Sequence, residues 1–149
     1  MSLKPSRNDR LDELQEHVRR SRTVTPELLT EVIAKACIRF AACGSADKAR
    51  VHRLVEHCAW TDDALALLEL DLPHWELRRL LYDDGEWHCF LSRRPAFPLE
   101  LDDGTEATHE VLALAILVAF IQARSVIAST AVPQVRAAPR DTLCCDNFA

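Results

Sequence analysis

Apolar positions along the chain recur with two periods, one helical and one extended. Between residues 9 and about 20, Leu11, Leu14 and Val18 fall at helical spacing on a charged background, a stripe so narrow that this helix needs a partner to stay folded. Thr25-Pro26-Glu27 opens a second helix: Thr as N-cap, Pro where its missing N–H costs nothing, Glu complementing the macrodipole. Leu29, Val32, Ile33, Ala36, Cys37 and Phe40 form its apolar face, and Gly44 is expected to stop it. Ser45 is expected to cap a third helix, with Val51, Leu54, Val55 and Cys58 inward and Lys48, Arg50, His52, Arg53 and His57 toward solvent. Thr61-Asp62-Asp63 starts a short fourth helix, ended by Pro73.

The period then changes to two. Residues 75–82 and 86–91 are apolar runs facing each other across Asp83-Asp84-Gly85, a strong hairpin signal because Gly accepts the positive φ of a tight turn. Two registers compete. A two-residue turn sets Tyr82 opposite Trp87 and mixes apolar with charged side chains on both faces. A three-residue loop closing on Gly85 as a left-handed bulge sets Leu81 opposite Trp87, and one face then carries Trp75, Leu77, Leu81, Trp87, Cys89 and Leu91, spoiled only by Arg79. The cleaner segregation predicts the three-residue loop.

Pro95 and Pro98 flank an extended piece, residues 97–101, that can add only an edge strand. Asp102-Asp103-Gly104 turns the chain, and Thr105 or Thr108 is expected to cap the last helix. That helix, to about residue 124, is apolar over most of its circumference and so belongs between the sheet and the N-terminal helices. The predicted class is α+β: N-terminal helices, one hairpin with a candidate third edge strand, and a long buried C-terminal helix. Residues 1–8 read as a flexible N-terminus, 9–125 as one domain with a helical part (9–59) and a helix-hairpin-helix part (60–125), and 126–149 as a disordered tail. Trp75, Leu77, Leu81, Trp87, Leu114, Leu117 and Val118 are expected to matter most for folding.

The length of 149 residues suits one domain, and the net charge of −5 is unevenly spread. Residues 1–60 hold 11 basic against 8 acidic side chains and residues 61–125 hold 5 against 13, so the middle of the chain repels phosphate. No apolar segment follows the polar N-terminus, and the longest apolar run, residues 111–121, falls well short of the roughly 20 needed to cross a bilayer. A cytoplasmic protein without a membrane segment is expected. Its six cysteines should then be reduced, with Cys37, Cys58 and Cys89 on apolar faces. Cys144-Cys145 is followed by four residues and does not fit a prenylation box.

Candidate chemistry is sparse. There is no closely spaced cysteine pair for zinc, no Gly-x-Ser-x-Gly, and no phosphate loop in a chain with three glycines, so neither a catalytic residue, a metal nor a cofactor is expected. The doublets Asp62-Asp63, Asp83-Asp84 and Asp102-Asp103 sit where helix starts and turns call for Asp. The second and third helices could form a helix-turn-helix offering Lys48, Arg50 and Arg53 to phosphate, but the acidic chain and the absence of a basic run argue against nucleic acid. An enzyme would need His74, His88 or His109 gathered with the acidic doublets. The outer face of the hairpin offers Tyr82, His88 and Phe90 as a candidate interaction surface for a protein partner or for self-association.

The order Leu70-x-Leu-Pro-x-Trp-x-Leu77, Tyr82-Asp-Asp-Gly-Glu-Trp-His-Cys-x-Leu-Ser92, then Ala107-Thr-His-Glu-Val-Leu-Ala-Leu-Ala-Ile-Leu117 resembles small uncharacterised bacterial proteins, chiefly of soil alphaproteobacteria. It is more distantly similar to small phage-type α-β-α sandwich domains in which a Trp-x-Cys strand precedes an Ala/Leu-rich helix. The resemblance covers about a third of the chain, its motifs are structural, and it implies no catalytic residue. The expectation from the residues is a small non-catalytic interaction or accessory protein. A nucleic-acid-associated regulator acting through the third helix is the alternative, and a small enzyme comes after it.

Overall fold

Helices α1 (Arg7–Arg20), α2 (Pro26–Ala36), α3 (Ser45–Glu56) and α4 (Trp60–Asp71) are followed by strands β1 (Trp75–Asp83), β2 (Glu86–Arg93) and β3 (Thr105–His109), and then by α5 (residues 112–128), an α+β arrangement. The structure is a computed structural model in which residues 4–93 and 104–128 are described. The expected strand at 97–101 and residues 129–149 of the expected tail lie outside the described residues, whereas residues 126–128, the start of that expected tail, continue α5.

Short-range chemistry accounts for the first two helix starts. Ser6 and Asp9 form a capping box: Ser6 Oγ accepts from the Asp9 N–H (3.2 Å) while Asp9 Oδ2 accepts from the Ser6 N–H (2.9 Å). The helix therefore begins at Arg7, inside the stretch expected to be flexible. Thr25 Oγ1 accepts from the Leu28 N–H (3.1 Å) with Pro26 in the first turn, as its sequence predicts. Leu11, Leu14 and Val18 are all buried, and α1 packs on α2, where His17 pairs with Glu31 at 2.9 Å.

Helix α2 stops at Ala36, well before Gly44. Cys37 is extended, and the N–H groups of Ile38 and Arg39 turn to Asp71 Oδ1 at 2.8 and 2.7 Å, so a carboxylate from α4 takes donors that a longer helix would have kept internal. A 3-10 turn (Phe40–Ala42) follows, and residues 37–44 make the connection to α3. That is twice the three to four residues of a helix-turn-helix. Gly44 is the N-cap of α3, and Ser45 is its first helical residue rather than its cap.

The end of α3 carries no glycine, yet it closes as a Schellman motif. The Cys58 N–H donates to Val55 O (3.1 Å) and the Ala59 N–H to Leu54 O (2.9 Å), with Cys58 at φ +54 in the left-handed position. Cys58 is consequently exposed, not on the apolar face that its helical spacing predicts.

The sheet has the order β1-β2-β3, all antiparallel, so β2 is central. At the turn, Asp83 pairs with Glu86 and Tyr82 with Trp87, and Asp84 and Gly85 both have positive φ (+51 and +82). This is the two-residue turn of type I′ geometry, not the three-residue loop. The extra residue of the rejected register exists elsewhere: a bulge between Leu77 and Arg79 displaces Arg78, and below it Leu77 still faces Leu91 and Trp75 faces Arg93. Without the bulge Arg79 would stand opposite Cys89, which is wholly buried. An unpaired guanidinium there is costly, and one inserted residue turns Arg79 outward and Leu80 inward. The same shift moves Leu81, expected in the core, to the opposite face, where it is exposed.

Thr105 and Thr108, expected as helix caps, lie in β3. Thr105 and Ala107 are buried and Glu106 and Thr108 exposed, a period of two written in small side chains. His109 Nδ1 instead accepts the Val111 N–H (2.9 Å) at the entry to α5, and its Nε2 lies 3.2 and 3.0 Å from the carbonyls of Arg19 and Ser21 at the end of α1. In α5, residues 113–121 are buried without a break. Nine consecutive positions point in every direction around a helix, so α5 is covered on all sides, with the sheet on one of them; Leu114, Leu117 and Val118 are at its centre, as expected.

Two substitutions test the backbone reading. Gly85→Val places a β-branched residue at φ +82 and should cost roughly 1–3 kcal/mol in denaturant unfolding. Cys58→Gly relieves the left-handed strain at the end of α3 and should raise stability by about 1 kcal/mol in the same assay.

Candidate interaction surface

The hairpin positions two sets of side chains. On the face toward α5, Leu80 pairs with Cys89 and Tyr82 with Trp87, the two rings meeting at 4.9 Å. On the outer face, Arg79 pairs with Phe90 and Leu81 with His88. Of the three residues expected to form one surface, His88 and Phe90 therefore lie together, while Tyr82 points to the other side. Leu81 takes its place. The cause is the bulge at Arg78, which exchanges the two faces of residues 79–83.

The outer face forms a concavity of about 490 Å³ lined by Leu81, His88 and Phe90 and rimmed by Arg78, Arg79, Asp83 and Glu106. His88 Nδ1 is 3.9 Å from Glu106 Oε1. Phe90 is half-buried, and Gly104 closes on it so tightly that a Cβ at residue 104 would collide with the ring. Beside this hollow, Leu80, Leu81 and Tyr82 are 38, 43 and 57% exposed, three of the four exposed large apolar side chains among the described residues, and they are consecutive. They occupy an edge strand whose outer side pairs with no described strand.

The basic residues of α3 do not gather. Lys48 donates to the Ala41 carbonyl (3.0 Å) and borders an apolar groove between α2 and α3, whereas Arg50 sits 3.6 Å from Glu69 on α4. Arg50 and Arg53 are neighbours on one helical face and Lys48 lies round the helix from both, so the three present no common face to a phosphate backbone. The histidines are equally dispersed. His74 borders a groove with Arg124, His88 is on the outer sheet face and His109 is held against the end of α1. Among the described residues no cluster of three or more His, Cys, Asp or Glu side chains could hold a metal.

Sequence reasoning overlooked the buried polar residues of α4. Asp71 and Arg124 form a buried ion pair; Arg124 also donates to the Asp71 carbonyl (3.2 Å), and burial pulls its pKa below the ordinary arginine value. Asp63, read as a helix-start residue, is fully buried, and neither of its oxygens has a hydrogen-bond partner among the described residues. Desolvation pushes its pKa up to about 6. Burial likewise raises the thiols of Cys37 and Cys89 to about 12, so neither is a nucleophile at neutral pH. The only sequence signal for Asp63 and Asp71 is that Asp63 stands beside, and Asp71 one helical turn from, the apolar run Ala64, Leu67 and Leu68.

No protein-family model, curated protein or solved structure matches this chain.

Asp63 gives a pH test. Its folded pKa, about 6, lies above the unfolded 3.8, so in the interval between them the native state holds a proton that the unfolded state has lost. Its contribution to stability therefore declines as pH rises through that interval, by on the order of 3 kcal/mol, and is constant on either side. Asp63→Asn cannot ionise, and its stability relative to wild type should climb by that amount between about pH 4 and pH 6 in urea titrations. A flat difference curve would mean that Asp63 is not desolvated.

Proposed function

We propose that this chain is a small non-catalytic interaction or accessory protein that works through the turn end of its sheet. One observation carries the reading: Leu80, Leu81 and Tyr82 are consecutive, exposed and apolar on an edge strand whose outer side pairs with no described strand, next to the hollow that holds His88 and Phe90. Large apolar side chains left to solvent and open backbone edges favour association, and soluble proteins ordinarily blunt both. Supporting it, the polar groups rimming the hollow are of both signs, which suits recognition of a protein surface better than of a polyanion.

The double variant Leu81→Ser, Phe90→Ala removes the apolar floor of the hollow. Capture by the tagged protein from its native cell extract, read by quantitative mass spectrometry, should fall about tenfold or more for genuine partners. Retention of the full wild-type set by a folded double variant would overturn the reading.

A further inference from the structure

We infer that the partner of the β1 edge is a second copy of this chain, docked antiparallel with Leu81 on a two-fold axis. The inference rests on the reading of the turn end of the sheet as an interaction surface, and it names the occupant. In a two-residue hairpin the pair flanking the turn, Asp83 with Glu86, exchanges both backbone hydrogen bonds, and the ladder then alternates. Leu81 and Arg79 accordingly bond inward to β2, whereas the N–H and C=O groups of Leu80 and Tyr82 point off the edge. The bulge at Arg78 ends the regular stretch, so the strand offers residues 79–83 to a neighbour.

Two-fold symmetry restricts how that segment can pair with itself. The axis stands perpendicular to the sheet, so opposed residues share a face. A single register uses all five residues: Leu81 opposite Leu81 of the second copy, Leu80 opposite Tyr82, and Arg79 opposite Asp83, the last two occurring twice. It places the outward N–H and C=O groups of Leu80 and Tyr82 against each other and joins the two sheets into one of six strands. It sets unlike charges opposite on the outer face, on either side of the leucine pair. Arg79 and Asp83 are exposed and, among the described residues, have no ion-pair partner within their own chain. Moving the axis to Leu80 or to Tyr82 opposes Arg79 or Asp83 to Leu81 and leaves the charges unmatched. Charge complementarity thus selects the same register as the backbone does.

Charge reversal tests the register on the full chain by sedimentation equilibrium over a hundredfold concentration range from micromolar upward, with far-UV circular dichroism as a check on folding. Wild type should show a reversible monomer–dimer equilibrium. Arg79→Asp and Asp83→Arg, each alone, set like charges opposite each other twice and should weaken the dimer roughly tenfold or more. Mixed together, the two single variants are complementary and should form a heterodimer, and Arg79→Asp combined with Asp83→Arg in one chain should restore self-association to near wild type. Wild type that stays monomeric throughout overturns the inference, as does a dimer indifferent to both reversals, or two variants that do not recover on mixing. In each of these cases the interaction reading still stands if Leu81→Ser, Phe90→Ala abolishes partner capture. It falls separately, on retained capture.

Discussion

A buried ion pair between Asp71 and Arg124 holds the helical part of this protein to its central helix. It joins residues 53 apart in the chain, and Asp71 uses its other oxygen to accept the N–H groups of Ile38 and Arg39. Burying two opposite charges is costly, and the arrangement holds because every oxygen of the carboxylate has a donor. Removing either partner leaves an uncompensated charge in the interior, a loss of about 3–5 kcal/mol. The end of α2, the long connection to α3 and the seat of the last turns of α5 all follow from where this carboxylate sits.

Charge also decides the sheet. Arg79 is the one residue that cannot remain in the alternation running from Trp75 to Leu91, and the chain absorbs the conflict with a bulge rather than with its turn. The consequence for function is direct. By exchanging the faces of residues 79–83 the bulge brings Leu81 beside His88 and Phe90 and leaves Leu80 and Tyr82 with backbone groups pointing off the edge. A strand that placed all its apolar residues inward would present no surface there. The hollow and the edge are therefore two results of one displaced residue.

The two halves differ in how completely they satisfy themselves. Around α5 nearly every apolar group is covered, and of the buried polar groups Asp71 and Arg124 are paired, whereas the two oxygens of Asp63 have no hydrogen-bond partner among the described residues. At the turn end of the sheet apolar groups are left to solvent instead. Burial without a hydrogen-bond partner among the described residues sets Asp63 apart in the core, while Leu80, Leu81 and Tyr82 stand exposed on an edge strand.

What could be read from the sequence alone was whatever depends on neighbours a few residues apart: the helical stripe Leu11, Leu14 and Val18, the Thr25-Pro26 start, a hairpin reversing at Asp83-Asp84-Gly85 though not its two-residue turn or its register, the all-round apolar α5 and the α+β class. What only the tertiary structure decided was each point where a distant group competes with a local pattern. Asp71 ends α2 from across the core, Cys58 takes a left-handed position that composition does not announce, and small side chains build β3 where helix caps were expected. In the candidate surface, His88 and Phe90 were legible and Leu81 was not. Their relation hangs on a bulge whose cause, a guanidinium facing the buried Cys89, becomes visible only when the opposite strand and the helix behind it are in place. Local pattern encodes hydrogen bonds that a segment makes with itself, and desolvation is a property of what the rest of the chain puts around it.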